Sequence, residues 1–201
     1  MAAKTSIRNV ELYEDAFLIA GRRHSISDVR HLRLFRRLLS THIAVPTEFT
    51  KLGQEEHVGL LVTLKSGEEY QFTEQPGWIK SADQRAVKQI LDFYSYLARA
   101  SLTERVEAYL ENFRSYGYFY YSGLRFFPDH QTIVDGSTTY NRQNTDFLHS
   151  YGCIELRPKE LSFIQQAKLK VGSANFTRID TLTDTDALYV ILSEFYGLRW
   201  K

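Results

Sequence analysis

Hydrophobic residues recur every three or four positions in three segments of the chain, which is the spacing of an amphipathic helix. In the first segment, residues 81–99, Ser81 and Gln84 stand at the positions of a capping box. The second, residues 101–117, closes on a glycine, and the third, residues 184–196, has acidic residues in its first turn. The pattern therefore predicts three helices. Six residues of their apolar faces are expected to be buried: Ile90, Leu97, Val106, Phe113, Ile191 and Phe195.

Much of the remaining sequence is rich in β-branched and aromatic residues, which predict strands. Residues 58–64 and 69–73 flank a short polar turn that contains Gly67, and this arrangement predicts a hairpin. Further strands are expected at residues 11–20, 118–127, 152–156, 168–171 and 175–182. Residues 141–151 are too polar to be assigned to a strand. The chain is expected to be an α+β protein with antiparallel sheets, each closed by a C-terminal amphipathic helix.

The order of strands followed by a helix occurs twice, which indicates an internal repeat. The helices align at an offset of 101 residues, which pairs Ile90 with Ile191, and the first strands align at an offset of 107, which pairs Tyr13 with Tyr120. Residues 1–100 then form a first α+β half, and residues 101–201 form a connector helix and a second half. The alternative is chance similarity, because any two amphipathic helices preceded by aromatic strands match at a few positions.

Each half resembles the pleckstrin-homology-like superfold, in which a bent sheet is plugged at one end by a C-terminal helix. The resemblance rests on pattern and not on a diagnostic motif. It is carried in the first half by residues 11–35, 58–73 and 81–97, and in the second by residues 118–135, 152–156, 168–182 and 184–198. It implies two tandem sheet-plus-helix halves joined by the helix at residues 102–116. Residues 141–151 depart from the family plan.

Composition narrows the class of protein. Of 201 residues, 43% are hydrophobic and 14% aromatic, and the net charge is +1, which is typical of a folded chain and not of a disordered one. No apolar run approaches the roughly 20 residues that span a bilayer, and the first residues are too polar for a secretory signal. The single cysteine, Cys153, cannot form an intrachain disulfide and fits a reducing compartment. We therefore expect a soluble cytoplasmic protein.

The most unusual local feature is a basic segment between residues 22 and 37. It contains one acidic residue, Asp28, and six arginines, namely Arg22, Arg23, Arg30, Arg33, Arg36 and Arg37. A local charge of +5 in a chain of net charge +1 marks a candidate site for an anionic partner, either an acidic protein or an anionic lipid. The alternative is a solvated face whose arginines pair with carboxylates from elsewhere in the fold.

An aromatic segment, residues 114–121, approaches a motif of RNA-binding sheets. It follows a predicted helix instead of a strand, and its second position is Ser115 where the motif has glycine. We therefore expect a core aromatic strand here, and nucleic acid is not the expected partner.

Residues that carry catalytic or metal-binding chemistry are sparse. No phosphate-binding loop, nucleophile elbow or zinc motif occurs, so no cofactor or metal is expected. Cys153 precedes apolar residues and is expected to be a buried structural cysteine on a strand, and Asp184 and Asp186 are expected to cap a helix. The sequence favours a non-enzymatic interaction module. The alternative is a small hydrolase or transferase whose site combines dispersed polar residues, namely Asp129, His130, Asn141, Asn144 and His149.

Overall fold

Meanders of antiparallel strands precede helices in both parts of the chain, so the mixed α+β class predicted from the sequence is confirmed. The computed structural model describes residues 3–4, 6–45, 48–75, 82–150, 152–170 and 175–198. Contacts divide the chain into two units, Met1–Arg105 and Val106–Lys201.

The first unit consists of seven described strands and one complete helix. The strands are β1 (Ala3–Lys4), β2 (Val10–Leu12), β3 (Ala16–Ile19), β4 (Arg22–Ser25), β5 (Val29–Val45), β6 (Glu48–Leu64) and β7 (Glu69–Glu74), and the helix is α1 (Gln84–Ala100). They form two sheets with the strand orders β2-β3-β4 and β1-β7-β6-β5. Neighbouring strands are antiparallel except β1, which is parallel to β7. Helix α2 (Leu102–Tyr116) begins in this unit and ends in the second.

The second unit has two meanders and a C-terminal helix. Its strands are β8 (Phe119–Tyr121), β9 (Leu124–Phe127), β10 (Thr132–Asp135), β11 (Thr138–Tyr140), β12 (Thr145–Ser150), β13 (Cys153–Pro158) and β14 (Thr177–Asp180), and its helices are α3 (Phe163–Lys170) and α4 (Thr185–Tyr196). The sheets have the orders β11-β10-β9-β8 and β12-β13-β14. Helix α3 interrupts the second meander, between β13 and β14.

Two predicted strands, at residues 11–20 and 118–127, are in fact hairpins. Residues 13–15 separate β2 from β3 in the first, and Ser122 and Gly123, with positive φ angles of 51° and 78°, separate β8 from β9 in the second. A similar turn at Ala20 and Gly21, with φ angles of 51° and 79°, joins β3 to β4. Two consecutive residues with positive φ form the tight turn that matches the twist of paired strands. The sequence predicted one strand in each segment because apolar or aromatic residues stand on both sides of residues 13–15 and of Ser122 and Gly123.

Each unit has its own hydrophobic core. In the first, Phe93 of α1 packs its ring edge-on against Phe17 of β3 and Phe72 of β7, with ring centroids 5.9 and 5.4 Å apart. In the second, Phe126 of β9 packs in the same way against Tyr196 of α4, at 6.0 Å. A helix therefore covers strands of its own unit in both cases, as the amphipathic patterns predict.

The predicted core positions are only partly correct. Ile90, Leu97 and Ile191 are buried, whereas Val106, Phe113 and Phe195 are half-buried at the edge of the second core. On α4, Tyr196 is deeply buried, one position after Phe195, which was expected to be buried. Burial raises the pKa of Tyr196, whose hydroxyl donates to the Thr132 carbonyl at 3.2 Å.

The helix N-termini differ from the predicted capping. Helix α1 is capped by Asp83, whose carboxylate accepts from the backbone N–H groups of Arg85 and Ala86, while Ser81 lies outside the described residues. At α4, Asp184 precedes the first turn, but its side chain makes no capping hydrogen bond. Its buried carboxylate instead accepts from the Tyr109 hydroxyl at 2.9 Å. The residue types in the sequence therefore predict the starts of α1 and α4 to within a few residues.

Two further predictions in the second unit are wrong. Residues 168–170, expected in a strand, belong to helix α3, and Val171 lies outside the described residues. The segment judged too polar for a strand contains β12, which pairs with β13 along its whole length. Strand β12 is polar because most of its side chains are exposed, with only Thr145 buried.

A buried arginine supports the junction of α1 and α2. The Arg105 side chain is 1% exposed, and it donates from Nε to the Ser101 hydroxyl at 3.0 Å and from a terminal nitrogen to the Ala98 carbonyl at 2.9 Å. Carbonyls at the end of a helix have no partner within the helix, so these bonds satisfy groups that burial would otherwise leave unpaired. Nothing in the sequence distinguishes this arginine from the exposed ones.

Candidate anion-binding surface

The two arginines of β4 are paired with carboxylates. Arg22 binds Glu68 at 2.8 Å, and Arg23 lies 3.4 Å from Asp15 and 5.4 Å from the centre of the Tyr13 ring. All of these side chains are solvent-exposed to a large extent, so each pair contributes little to stability. The pairing does neutralise the local charge of this strand.

The four arginines of β5 are distributed by a bulge and by the pleat of the strand. The pairing with β6 shifts register between Val29 and His31, so Arg30 lies in a bulge. The shift allows Val29 and Leu32, an odd number of residues apart, both to be buried. After the bulge, side chains alternate between the two faces of the sheet.

Arg33 and Arg37 lie on the outward face of this sheet, with Phe35 between them. The opposite face carries Leu32, Leu34 and Arg36, whose β6 partners Val62, Leu60 and Val58 are buried in the core. Arg36 is exposed because it stands near the end of that apolar row. The strand pairing therefore places Arg33 and Arg37 on one face of the sheet and Arg36 on the other, while Arg30 lies in the bulge and Arg22 and Arg23 belong to the other sheet.

We call this surface the β5 face and define it by His31, Arg33, Phe35 and Arg37 of β5 with His57, Gly59 and Leu61 of β6. The strand register pairs Arg33 with Leu61, Phe35 with Gly59, and Arg37 with His57. On β7, Gln71 stands beside Leu61 and Thr73 beside Gly59. The residues next to Arg33 and Arg37 across these strands are thus not acidic. Further along the same ladder, Glu55 pairs with Leu39, two residues beyond Arg37, and Glu69 stands beside Thr63.

The aromatic centre of the β5 face is held in place by a ring contact. Phe35 and His57 meet edge to face, with centroids 5.0 Å apart and an interplanar angle of 73°. Phe35 is half-buried, so much of its ring is shielded from solvent. Arg33 and Arg37 are four residues apart, which places them about 13 Å apart along the strand. Their guanidinium groups can bind carboxylates or phosphates in bidentate geometry.

The residues of the enzyme hypothesis lie at three separate places in the second unit. Asp129 and His130 are exposed in a short 3-10 turn between β9 and β10. Asn141 and Asn144 build the turn before β12, where their side-chain oxygens accept from each other's backbone N–H groups at 2.9–3.0 Å. His149, near the end of β12, contacts the Tyr189 hydroxyl at 2.6 Å. The contacts of Asn141 and Asn144 are local, whereas that of His149 joins β12 to helix α4.

Cys153 stands at the start of β13, as expected, but it is half-buried and not buried as predicted. It pairs in register with Ser150, and His149 pairs with Ile154. Within the described ranges, no group of three His, Cys, Asp or Glu residues is placed to hold a metal ion.

An exposed aromatic surface on β8 was missed at the sequence level. Phe119 and Tyr121 are buried, but Tyr120 between them is 61% exposed and Tyr118 is half-buried. The rings of Tyr118 and Tyr120 meet edge to face at 5.3 Å. The strand is therefore a core strand on one face only. Residues 118–121 are all aromatic, so the only available signal was that successive side chains of a strand point to opposite faces.

No protein-family model, no curated protein and no solved structure matches the chain. None of the helices in the described part of the chain is long and apolar enough to cross a membrane. Functional inference therefore rests on the surfaces themselves.

Proposed function

We propose that this chain is a non-enzymatic binding module of two PH-like units, and that its β5 face binds an acidic segment of a partner protein. The observation that carries the proposal is the alignment of Arg33, Phe35 and Arg37 along the outward side of one strand. The β6 residues paired with Arg33 and Arg37 are Leu61 and His57, so the strand register places no carboxylate directly opposite either arginine.

The order of elements supports the PH-like part of the proposal. The second unit has a four-stranded meander, a three-stranded meander and a C-terminal helix. The first has a three-stranded meander, the antiparallel strands β5, β6 and β7, and then α1. In each unit the last helix packs on the strands before it, as a helix that closes a sheet must.

Matching details at a nearly constant offset support an internal repeat. The turn residues Ala20 and Ser122, with equal φ angles, are 102 positions apart, and the residues before α1 and α4, Asp83 and Asp184, are 101 apart. The ring pair Phe17 and His24 likewise corresponds to the pair Phe119 and Phe126 at an offset of 102. A repeat at this offset replaces the 107 inferred for the strands from sequence.

The shape of the β5 face favours an extended acidic segment over a lipid surface. The apolar side chains of the β5 face, Phe35 and Leu61, are both half-buried, so neither presents a large exposed area to a bilayer. The two arginines follow one line, about 13 Å apart, which suits carboxylates spaced along an extended chain.

The test compares two double variants of the full chain by fluorescence anisotropy with a labelled glutamate-rich peptide. Arg33→Gln/Arg37→Gln is expected to weaken binding about tenfold, because each exposed charge contact contributes roughly 0.7 kcal/mol. Arg22→Gln/Arg23→Gln is the matched control, since it removes the same charge from two exposed arginines of β4, outside the β5 face. It is expected to change the affinity less than about twofold.

Equal losses in both variants would show that only net charge matters and would overturn the proposal. Unchanged binding in the Arg33/Arg37 variant would also overturn it. Vesicles that contain phosphatidylserine provide a second arm. If the Arg33/Arg37 substitutions reduce vesicle binding and leave peptide binding intact, the partner of the β5 face is lipid and not protein.

A further inference from the structure

Helix α3 presents apolar side chains to solvent. None of its eight residues is buried, and Phe163 and Ile164 are 85% and 65% exposed. A large apolar side chain in water loses the free energy that burial would provide, so adjacent exposed bulky residues on one helix mark a contact surface.

Side-chain hydrogen bonds cap the first turn of α3. The backbone N–H of Ser162 donates to the Gln165 side-chain oxygen at 2.9 Å, and the N–H of Gln165 donates back to the Ser162 hydroxyl at 3.3 Å. The Gln166 amide also donates to the Leu161 carbonyl at 2.9 Å. This reciprocal capping fixes the first turn, so Phe163 and Ile164 are held in place before any partner binds.

Helix α3 is not needed to connect the strands it joins. In the first unit, the hairpin of β6 and β7 is closed by the four residues between Leu64 and Glu69. The antiparallel strands β13 and β14 could be joined by an equally short turn, but residues 159–176 stand between them. A capped helix with an exposed apolar stripe in this position indicates a function on the surface.

Charge flanks the apolar stripe on both sides. At about 100° per residue, Phe163, Ala167 and Ile164 cover an arc of about 100°, with Lys170 about 20° beyond one edge and Lys168 about 40° beyond the other. Over residues 159–170 the chain carries three lysines and one acid, Glu160. Bulky apolar residues between lysines are typical of helices that lie in the interface of an anionic bilayer.

We propose that α3 docks on an anionic lipid surface, with Phe163 and Ile164 in the acyl boundary and Lys168 and Lys170 at the headgroups. This site shares no residue with the β5 face, and its assignment does not depend on the proposed function. Charge complementarity selects the lipid: the lysines border the apolar residues in the way that headgroups border acyl chains. A protein groove for the same helix is the competing outcome.

The test is sedimentation of the full chain with vesicles of phosphatidylcholine alone or mixed equally with phosphatidylserine. The chain is expected to bind the mixed vesicles and to bind phosphatidylcholine alone much more weakly. Phe163→Ser/Ile164→Ser is expected to reduce binding to the mixed vesicles about 100-fold. Lys168→Gln/Lys170→Gln is expected to reduce it about 30-fold at low salt, an effect that disappears as salt rises.

Tyr116→Ser/Tyr120→Ser is the matched control, because it removes two exposed aromatic side chains elsewhere in the second unit. It is expected to leave vesicle binding unchanged, and an equal loss would overturn the assignment to α3. Circular dichroism should show no loss of fold in any variant, since all substituted side chains are exposed. Failure of the unsubstituted chain to bind mixed vesicles would also overturn the proposal. Arg33→Gln/Arg37→Gln is expected to retain vesicle binding, so the two proposals fail separately.

Discussion

The β5 face and helix α3 both carry positive charge, but they hold their apolar side chains differently. On the β5 face, Phe35 is half-buried and stands between two arginines along the strand. On α3, Phe163 projects into solvent between flanking lysines. A flat charged strand can bind groups spaced along an extended chain, whereas a projecting apolar residue gains most by leaving water. The two surfaces therefore differ more in the exposure of their apolar side chains than in their charge.

The largest difference is expected between a buried and an exposed residue of the same type. Phe126→Ala is expected to lower the free energy of unfolding by about 3–5 kcal/mol, because Phe126 is fully buried against Phe119 and Tyr196. Phe163→Ala is expected to change it by less than about 0.5 kcal/mol. Urea unfolding followed by circular dichroism measures both. A comparable loss for Phe163→Ala would mean that α3 packs on the protein, and the comparison would break.

The arginines allow the second contrast. Arg105→Met is expected to lower the free energy of unfolding by about 2–3 kcal/mol, because the Ala98 carbonyl and the Ser101 hydroxyl lose a buried donor. Arg33→Met is the control on the β5 face and is expected to have an effect below about 0.5 kcal/mol. Equal effects in urea unfolding would show that Arg33 is a structural residue instead of a binding one.

The histidines give the smallest effect. His24 is buried beside Phe17 and contacts the Tyr70 hydroxyl at 3.1 Å, with Glu68, Arg22 and Asp28 as the nearby charges. Burial lowers the pKa of His24, so below the ordinary value of about 6.5 the unfolded chain binds more protons than the folded one. Stability should therefore fall as the pH drops below about 6.5.

Thermal melts at pH values above and below the ordinary histidine pKa test this expectation. His24→Gln should show a smaller decrease of Tm on acidification than the unsubstituted chain. His31→Gln, which removes a half-buried histidine of the β5 face, should keep the full decrease. An identical decrease in the His24 variant would show that another group causes the acid sensitivity.

These contrasts also explain what the sequence could and could not predict. Local periodicity identified the buried faces at Ile90, Leu97 and Ile191, because helix packing repeats every few residues. The bulge at Arg30 was not predictable, and it decides which arginines share a face with Phe35. A β-strand has a period of two, so one extra residue moves every later side chain to the other face.

The sequence also could not show which charged side chains pair over long distances along the chain. Glu68, which pairs with Arg22, is 46 residues away along the chain, and only the fold brings the two together. The apolar residues of α3 were overlooked for a different reason. Residues 168–171 contain two lysines and a valine and were predicted as a short strand. The hydrogen bonds between Ser162 and Gln165, which cap the start of the helix, are visible only in the structure.

The most direct test of the account is a nuclear magnetic resonance titration of the nitrogen-15-labelled chain with the glutamate-rich peptide. The account predicts that amide shifts concentrate at residues 31–37 of β5 and 57–61 of β6, while those of α3 stay unchanged. Shifts that centre on the β4 arginines, or that spread evenly over all basic residues, would contradict the assignment of binding to the β5 face.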